Sequence, residues 1–342
     1  MAENKKFNAW LPNFGAKGWG ITIACFIFFY FYSFWNAATN TLFGLFNEMY
    51  GWQQTDMSYV ITIAGWISLI AVVLFGTLGR KIGAKMVSVI GLAGSAIGFA
   101  VLACAHTFEV FAAGVVIFNF SMVAYATIGV GLLGSSWFPR TKGAFMGIAT
   151  MGMTISSATL NPIILGFAGS AFGISGFFWA MAAVVAITAV IVFLFVKNNP
   201  EEAGAYPDND QSVSREELEA EFKAALEYKK TSPWTTTRVL RTPQTWLIGL
   251  GTGLPMMVGA GTIALLVPTL ASYGQDPMFG VVLLSSMWPI GLLGHYLIGV
   301  LDQKIGTKKT TLVVICVLGI GGLLVKLGGV NSVVCAVATG MF

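Results

Sequence analysis

The chain has 342 residues, 56% of them hydrophobic and only 10% charged, with a formal net charge of +4. A mean hydropathy of +0.77, set against the roughly 25% charged residues of soluble domains, excludes a water-soluble globular protein and predicts an all-α polytopic membrane protein. Two histidines, and four cysteines scattered singly among apolar residues with no C-x-x-C or Cys/His cluster, disfavour a metal site and mark the cysteines as small packing residues. No cofactor, metal or enzyme chemistry is expected.

An apolar run of about 20 residues is what a helix needs to cross the hydrocarbon core. Nine such runs are predicted as spans, at 19–46, 57–78, 86–105, 108–135, 144–168, 173–196, 244–272, 278–301 and 310–328. A tenth starts near Val330 and stops at Phe342, a rise of roughly 20 Å against a core of roughly 30 Å. The chain is therefore expected to end inside a helix, truncated at its C-terminus.

The first span follows Lys5, Lys6 and Lys17, yet it is too long for a signal-peptide core and has no small-residue cleavage site, so it stays as a helix. Asn36 and Asn40 lie one turn apart on it and share a face. After the second span comes Gly76-Thr-Leu-Gly-Arg-Lys-Ile-Gly-Ala-Lys85, and after the eighth comes Gly299-Val-Leu-Asp-Gln-Lys-Ile-Gly-Thr-Lys308. The two phrases share a glycine, a leucine and then Lys-Ile-Gly-x-Lys at equivalent positions, and each directly follows a long apolar segment. A basic turn repeated between membrane helices is the sign of a duplicated architecture.

The fourth span carries Asn119 and Tyr125, and the fifth carries Asn161-Pro162, the mark of a kink or a freed backbone carbonyl. Polar groups of this kind serve either as ligands or as interhelical glue worth about 1 kcal/mol. Residues 198–243 are the longest polar stretch. Their Asn-Pro-Glu-Glu-Ala-Gly opening favours turns, and Ser214 with Leu218, Phe222 and Leu226 predicts a short amphipathic helix. Such a segment is too small to form a catalytic domain of its own.

Glycines recur through the seventh span and permit close helix approach. In the eighth, Trp288 and Trp66 of the second span are candidates to shape an apolar cavity, and His295 is the sharpest candidate of all. An imidazole within a span either binds an anionic substrate, with a charge state that changes near neutral pH, or stays neutral and bonds a neighbouring helix. Both readings stand. No Asp, Glu, Lys or Arg occupies the middle of a complete span, so proton coupling through a buried carboxylate has no support in these helices.

All Lys and Arg except Lys326 fall in alternate loops, which predicts that those loops and the N-terminus are cytoplasmic. The positive charge thus reflects topology and calls for no nucleic-acid partner; the bilayer and a small solute are the expected partners.

These residues together resemble the major facilitator superfamily. The signature between its second and third helices, G-x-x-x-D-R/K-x-G-x-R/K, resembles both copies of the repeated phrase. Trp137-Phe-Pro-Arg-Thr-Lys-Gly143, Gly129-Val-Gly131 and the Pro-Glu-Glu-Ala-Gly sequence after the sixth span match as well, and the first is especially similar to the oxalate/formate antiporter and monocarboxylate transporter branches. The resemblance implies a monomeric carrier of the cytoplasmic (bacterial inner) membrane with two six-helix halves that rock about a central site lined by helices 1, 4, 7 and 10. It implies domains at 1–197 and 244–342 joined by a loop at 198–243. It implies transport of a small mono- or dicarboxylate, in exchange for another solute or down its gradient, with a larger amphipathic anion, a neutral metabolite or a non-transporting sensor as alternatives. Gly76, Arg80, Lys81, Gly83 and Lys85, with Gly299, Asp302, Lys304, Gly306 and Lys308, would form the gating loops. Three departures stand out. Arg80 and Gln303 occupy the acidic position, with Asp302 displaced by one. Tyr125 stands where the family's R-x-x-x-G-x-G pattern has arginine. His295 replaces the arginine of R-x-x-x-G.

Overall fold

The computed structural model describes residues 12–211, 220, 223, 224, 227, 231, 236–274 and 286–327, and every regular element among them is helical. The amphipathic helix expected after Ser214 and the tenth span lie almost wholly outside the described residues. By packing, the chain divides into two compact units, one of residues up to Asn209 together with Gly291–Lys304 and the other of the remainder.

The first unit starts with α1 (Gly15–Tyr32) and α2 (Phe34–Tyr50), which together form the first span with a break at Ser33. Gly51 closes α2 in the left-handed conformation, its N–H bonded to the Asn47 carbonyl, as helix C-termini commonly do. The second and third spans are the two arms of α3 (Gln54–Ala103), two helices that meet at a kink at Gly83, where φ is 86 and ψ 166. The fourth span is α4 (Phe108–Val123), a π-helical turn at Ala124–Gly129 and α5 (Val130–Trp137). Then come α6 (Lys142–Ala168), with Pro162 inside it, and α7 (Gly173–Phe195).

Two further helices, α8 (Thr236–Arg241) and α9 (Pro243–Ser272), belong to the second unit. The eighth span is α10 (Trp288–Ile305), which packs with the first unit from Gly291 to Lys304, and α11 (Thr307–Leu327) is the ninth. Helices of membrane-crossing length and apolarity include Gly15–Tyr50, Gln54–Ala103, Phe108–Trp137, Lys142–Ala168, Gly173–Phe195 and Thr307–Leu324. Their outer faces carry large apolar side chains, such as Trp66 at 69% and Phe195 at 74% exposure. Only a hydrocarbon solvent makes such a surface stable.

The core of the first unit is aromatic. Phe34 of α2 meets Phe99 of α3 at 4.9 Å between ring centroids, and Phe99 meets Phe118 of α4 at 4.7 Å. Closer in, helices touch through glycine. A Cβ on Gly98 of α3 would stand 2.9 Å from the Phe118 backbone nitrogen, and one on Gly91 would stand 2.7 Å from the Ser121 carbonyl oxygen. In lipid, where apolar surface alone does not drive helices together, such approach is what creates packing.

The repeated phrase makes the same bend twice, since Gly83 and Gly306 have φ of 86° and 83°. In the first copy the bend is locked by Asn198, whose Oδ1 accepts from the Lys85 N–H at 2.9 Å. A Cβ at Gly83 would come within 2.6 Å of that oxygen. Gly83→Ala is expected to destabilise the first unit by about 1–3 kcal/mol, from left-handed strain and displacement of Asn198. A lowered thermal unfolding midpoint of the purified variant would show it, and an unchanged midpoint would refute it.

Candidate functional site

Several polar side chains of the first unit are organised around α6. One side of α6 faces α1 and α2. Gly152 sits directly against the Phe26 carbonyl, the Tyr30 hydroxyl lies 3.0 Å from Thr159 Oγ1, and Thr41 Oγ1 donates to Asn161 Oδ1 at 2.8 Å. Another side faces α10, which runs antiparallel to it. Near the basic turns, a Cβ on Gly299 would stand 2.9 Å from the Gly147 Cα, and one on Gly147 would stand 2.8 Å from the His295 carbonyl oxygen. Farther along, Gly291 lies against Thr154. His295 is therefore held in the middle of this close seam, half-buried.

Asn36 and Asn40 are exposed on one face of α2, so their amides are available to a solute on that side of the bundle. Trp288 is 41% exposed and two turns before His295 on α10. Asn119 and Tyr125 sit elsewhere, inside the α3–α4 seam. Asn119 is 4% exposed and donates from Nδ2 to the Val115 carbonyl, while the Ser68 hydroxyl donates to the Asn119 carbonyl. Tyr125, fully buried in the π-helical turn, stacks edge-on to Phe28 at 5.6 Å and lies against Gly91. The structure thus brings His295, Thr154 and Thr41 of α2 to a common neighbour, α6, leaves Asn36 and Asn40 exposed on α2, and keeps Asn119 and Tyr125 in the packed interior.

The two basic turns differ chemically. Arg80 is exposed and its Nε donates to the Gly76 carbonyl at 3.4 Å within its own helix. The Lys85 ammonium lies 4.8 Å from the centre of the Phe193 ring. In the second copy the Asp302 carboxylate reaches the first turn of α6, where a Cβ on Gly143 would meet Oδ2 at 2.9 Å. A helix N-terminus favours that negative charge. Gln303 Nε2 donates to the Arg140 carbonyl at 3.3 Å.

The sequence pattern of the Major Facilitator Superfamily matches residues 21–342. The chain belongs to the Major Facilitator Superfamily. Among solved structures, it is similar to the proton:xylose symporter XylE bound to 6-bromo-6-deoxy-D-glucose, with a TM-score of 0.66 and 13% identity over 95% of this chain and 78% of that one. It is also similar to FucP in the outward conformation, with a TM-score of 0.61 and 15% identity over 94% and 81%. At such identities the likeness establishes a shared fold. No curated protein sequence matches the chain.

Away from the basic turns, this superfamily member has a small cleft of about 150 Å³ lined by Tyr50, His106, Phe46, Leu102, Phe172 and Ser175. It is smaller than the roughly 300–1,000 Å³ of ordinary ligand pockets and shares no residue with the α6–α10 seam, so it is not the candidate site.

Two features escape a reading of the sequence. The π-helical turn has no sequence signature beyond Gly129-Val-Gly131, although such turns cluster at functional positions. The segment after the sixth span, expected only to be turn-rich, is a strap of short turns at Glu201–Ala203 and Pro207–Asn209. Asp208 within it is buried and accepts hydrogen bonds from the Arg140 and Thr141 N–H groups and the Thr141 hydroxyl at 3.0, 2.9 and 2.6 Å. Four turn-forming residues in a row, Pro-Asp-Asn-Asp, are the only signal.

The superfamily's arginine has no room at Tyr125. Tyr125→Arg is expected to lose most folded protein, because a buried, unpaired cation costs several kcal/mol. Tyr125→Phe should keep the fold within about 1 kcal/mol. Monodisperse yield on size exclusion checks both; equal yields would refute the packing argument.

Within the strap, burial raises the Glu201 carboxyl above its ordinary range, and Glu202 beside it adds to the rise against a lowering bond to its own backbone N–H. A raised folded value means that the folded state binds the proton more tightly. The cost is therefore present at neutral pH, shrinks as pH falls through the raised value and is gone below the ordinary one. Glu201→Gln should raise thermal stability at pH 7 and lose the advantage at acid pH; a gap that does not narrow on acidification would contradict this.

Proposed function

We propose that this transporter carries a small organic anion, a mono- or dicarboxylate, by exchange or down its gradient, with His295 as the substrate's polar ligand. The observation that carries the reading is the position of His295: an ionisable ring in the middle of a span, half-buried and fixed between the Gly147 and Thr154 contacts of the α6–α10 seam. Ionisable groups at such depth tend to be functional. The resemblance of Trp137–Gly143 to the oxalate/formate and monocarboxylate branches supports the choice of a carboxylate. The absence of carboxylates from the middle of the spans in the sequence supports exchange over proton symport.

Asn36 and Asn40 would supply amide hydrogen bonds, and Trp288 an apolar wall. Asn119 and Tyr125 would act through the packing of the α3–α4 seam rather than by touching substrate. In this reading the basic ends of the helices and the N-terminus face the cytoplasm. Two halves, 1–197 and 244–342, joined by 198–243, rock about the site in alternating access, and the repeated turns gate it. A second reading, a neutral polyhydroxylated metabolite, is favoured by the exposed amide pair on α2, since amides both donate to and accept from hydroxyls.

Counterflow into proteoliposomes preloaded with a panel of carboxylates decides between them. Saturable exchange of a carboxylate is expected, with His295→Ala lowering it at least about tenfold, the worth of a charge-assisted hydrogen bond. Folded protein that exchanges no carboxylate but does exchange a polyol would sink the anion reading. Folded protein that exchanges neither would point to a sensor.

A further inference from the structure

We propose that Asp208 is a positioning residue for the α6–α10 seam: from the strap after the sixth span, it fixes the start of α6 so that the end of α10 can close on it.

The start of α6 lacks a cap of its own. Thr141 is the N-cap residue, yet its hydroxyl makes no capping bond to the helix. The hydroxyl donates instead to Asp208, 67 residues away in sequence, and the Arg140 and Thr141 N–H groups point to the same carboxylate. Three donors thus converge on one buried side chain, and only an acceptor-only group satisfies them all. Asparagine has the same shape but would turn an NH2 toward one of these donors.

The strap that carries Asp208 is itself anchored on several helices. Its start is held by Trp137 Nε1 donating to the Lys197 carbonyl and by the Ser136 hydroxyl donating to the Asn198 carbonyl. Its middle accepts from the Lys17 ammonium through the Ala203 carbonyl. Its end presses the Asn209 side chain against Gly15 at the start of α1. Asp208 and Asn209 both adopt φ of 54°, a conformation that costs a non-glycine residue free energy even where Asp and Asn tolerate it best. The convergent bonds of Asp208 offset that cost.

The same turn faces α10 on its other side. The Arg140–Thr141 peptide receives the Gln303 amide on its carbonyl while its N–H is held by Asp208. In the first turn of α6, Gly143 lies against the Gly299 carbonyl and the Asp302 carboxylate. These contacts tolerate little displacement, because a Cβ at Gly143 would already be 2.8 Å from the Gly299 oxygen. Loss of the Asp208 bonds frees the start of α6 to shift, and the seam accommodates little shift. The strap thereby links the beginning of the central loop to the closing of two spans.

Hydrogen–deuterium exchange on the full chain in nanodiscs tests this without any substrate, so it stands or falls independently of the carboxylate reading. Asp208→Asn is expected to speed exchange about tenfold or more in residues 138–145, the loss of charge-assisted bonds, and also to speed it several-fold in residues 298–305. The α3–α4 seam at 90–98 should exchange as in the wild type. Thr141→Val removes one of the three bonds and should give the same pattern at smaller amplitude, which keeps the test open if Asp208→Asn fails to fold. Faster exchange at 138–145 with residues 298–305 unchanged would mean that Asp208 only braces the strap, and would overturn the proposal. Wild-type exchange at both segments, or uniform loosening that includes 90–98, would overturn it as well.

Discussion

Close backbone contact at glycine is the constraint on which the rest of this bundle depends. Lipid tails solvate leucine as well as another helix does, so association in the bilayer relies on dispersion and backbone approach. Gly91 and Gly98 bring α3 onto α4, Gly152 brings α6 onto α1, and Gly147 with Gly299 brings α6 onto α10. At each seam a single methyl group would collide with backbone or with an immovable neighbour. Large side chains then fill the space around the seams, as with the Phe34, Phe99 and Phe118 cluster.

This division explains why α6 is the element around which the candidate site forms. It has glycine at positions 143, 147 and 152 for close contact, and Thr154, Thr159 and Asn161 farther along for polar contact. Thr159 and Asn161 take fixed partners from α1 and α2, which ties those helices to α6. Thr154 faces the α10 stretch that leads to His295. A backbone held this tightly lets a histidine sit at a defined depth without a charged partner on its own helix. A seam built from flat glycine surfaces can also separate and re-form without side chains having to interlock.

The fold was largely legible in the sequence because the bilayer imposes a length and an apolarity that composition reveals. The predicted spans match the observed helices to within a few residues in the first unit, and the Lys-Ile-Gly phrase bends at Gly83 and at Gly306 as its repetition implies. Two things were not legible. The lock on the turn at Gly83, and the π-helical turn at Ala124–Gly129, depend on partners distant in sequence, Asn198 for the first and the glycine seam of α3 for the second. The burial of Asn119 and Tyr125 had the same cause: residue type and span marked them as polar groups in a helix, but only the crossing of α3 and α4 sets which way they point. Asp208 was the least legible, since a carboxylate in a turn-rich loop reads as solvated until its three donors are seen.

The basic end of the first unit works by different chemistry from its apolar middle. Where hydrocarbon surrounds the helices, glycine seams suffice; where water competes, polar side chains bond directly to backbone. Asn198 secures the first basic turn through the Lys85 N–H, and Asp208 secures the start of α6 through Arg140 and Thr141. This bears on the missing acid of the first repeat. Arg80 stands where the superfamily signature has a carboxylate, yet the turn is still fixed, because the neutral amide of Asn198 does that work from the strap. The second repeat has an acid one position earlier, Asp302, at the place where its helix meets the positive N-terminal turn of α6. A carboxylate is useful opposite a helix start and dispensable opposite a side chain that can cap the turn, so each copy carries a side chain suited to what it touches.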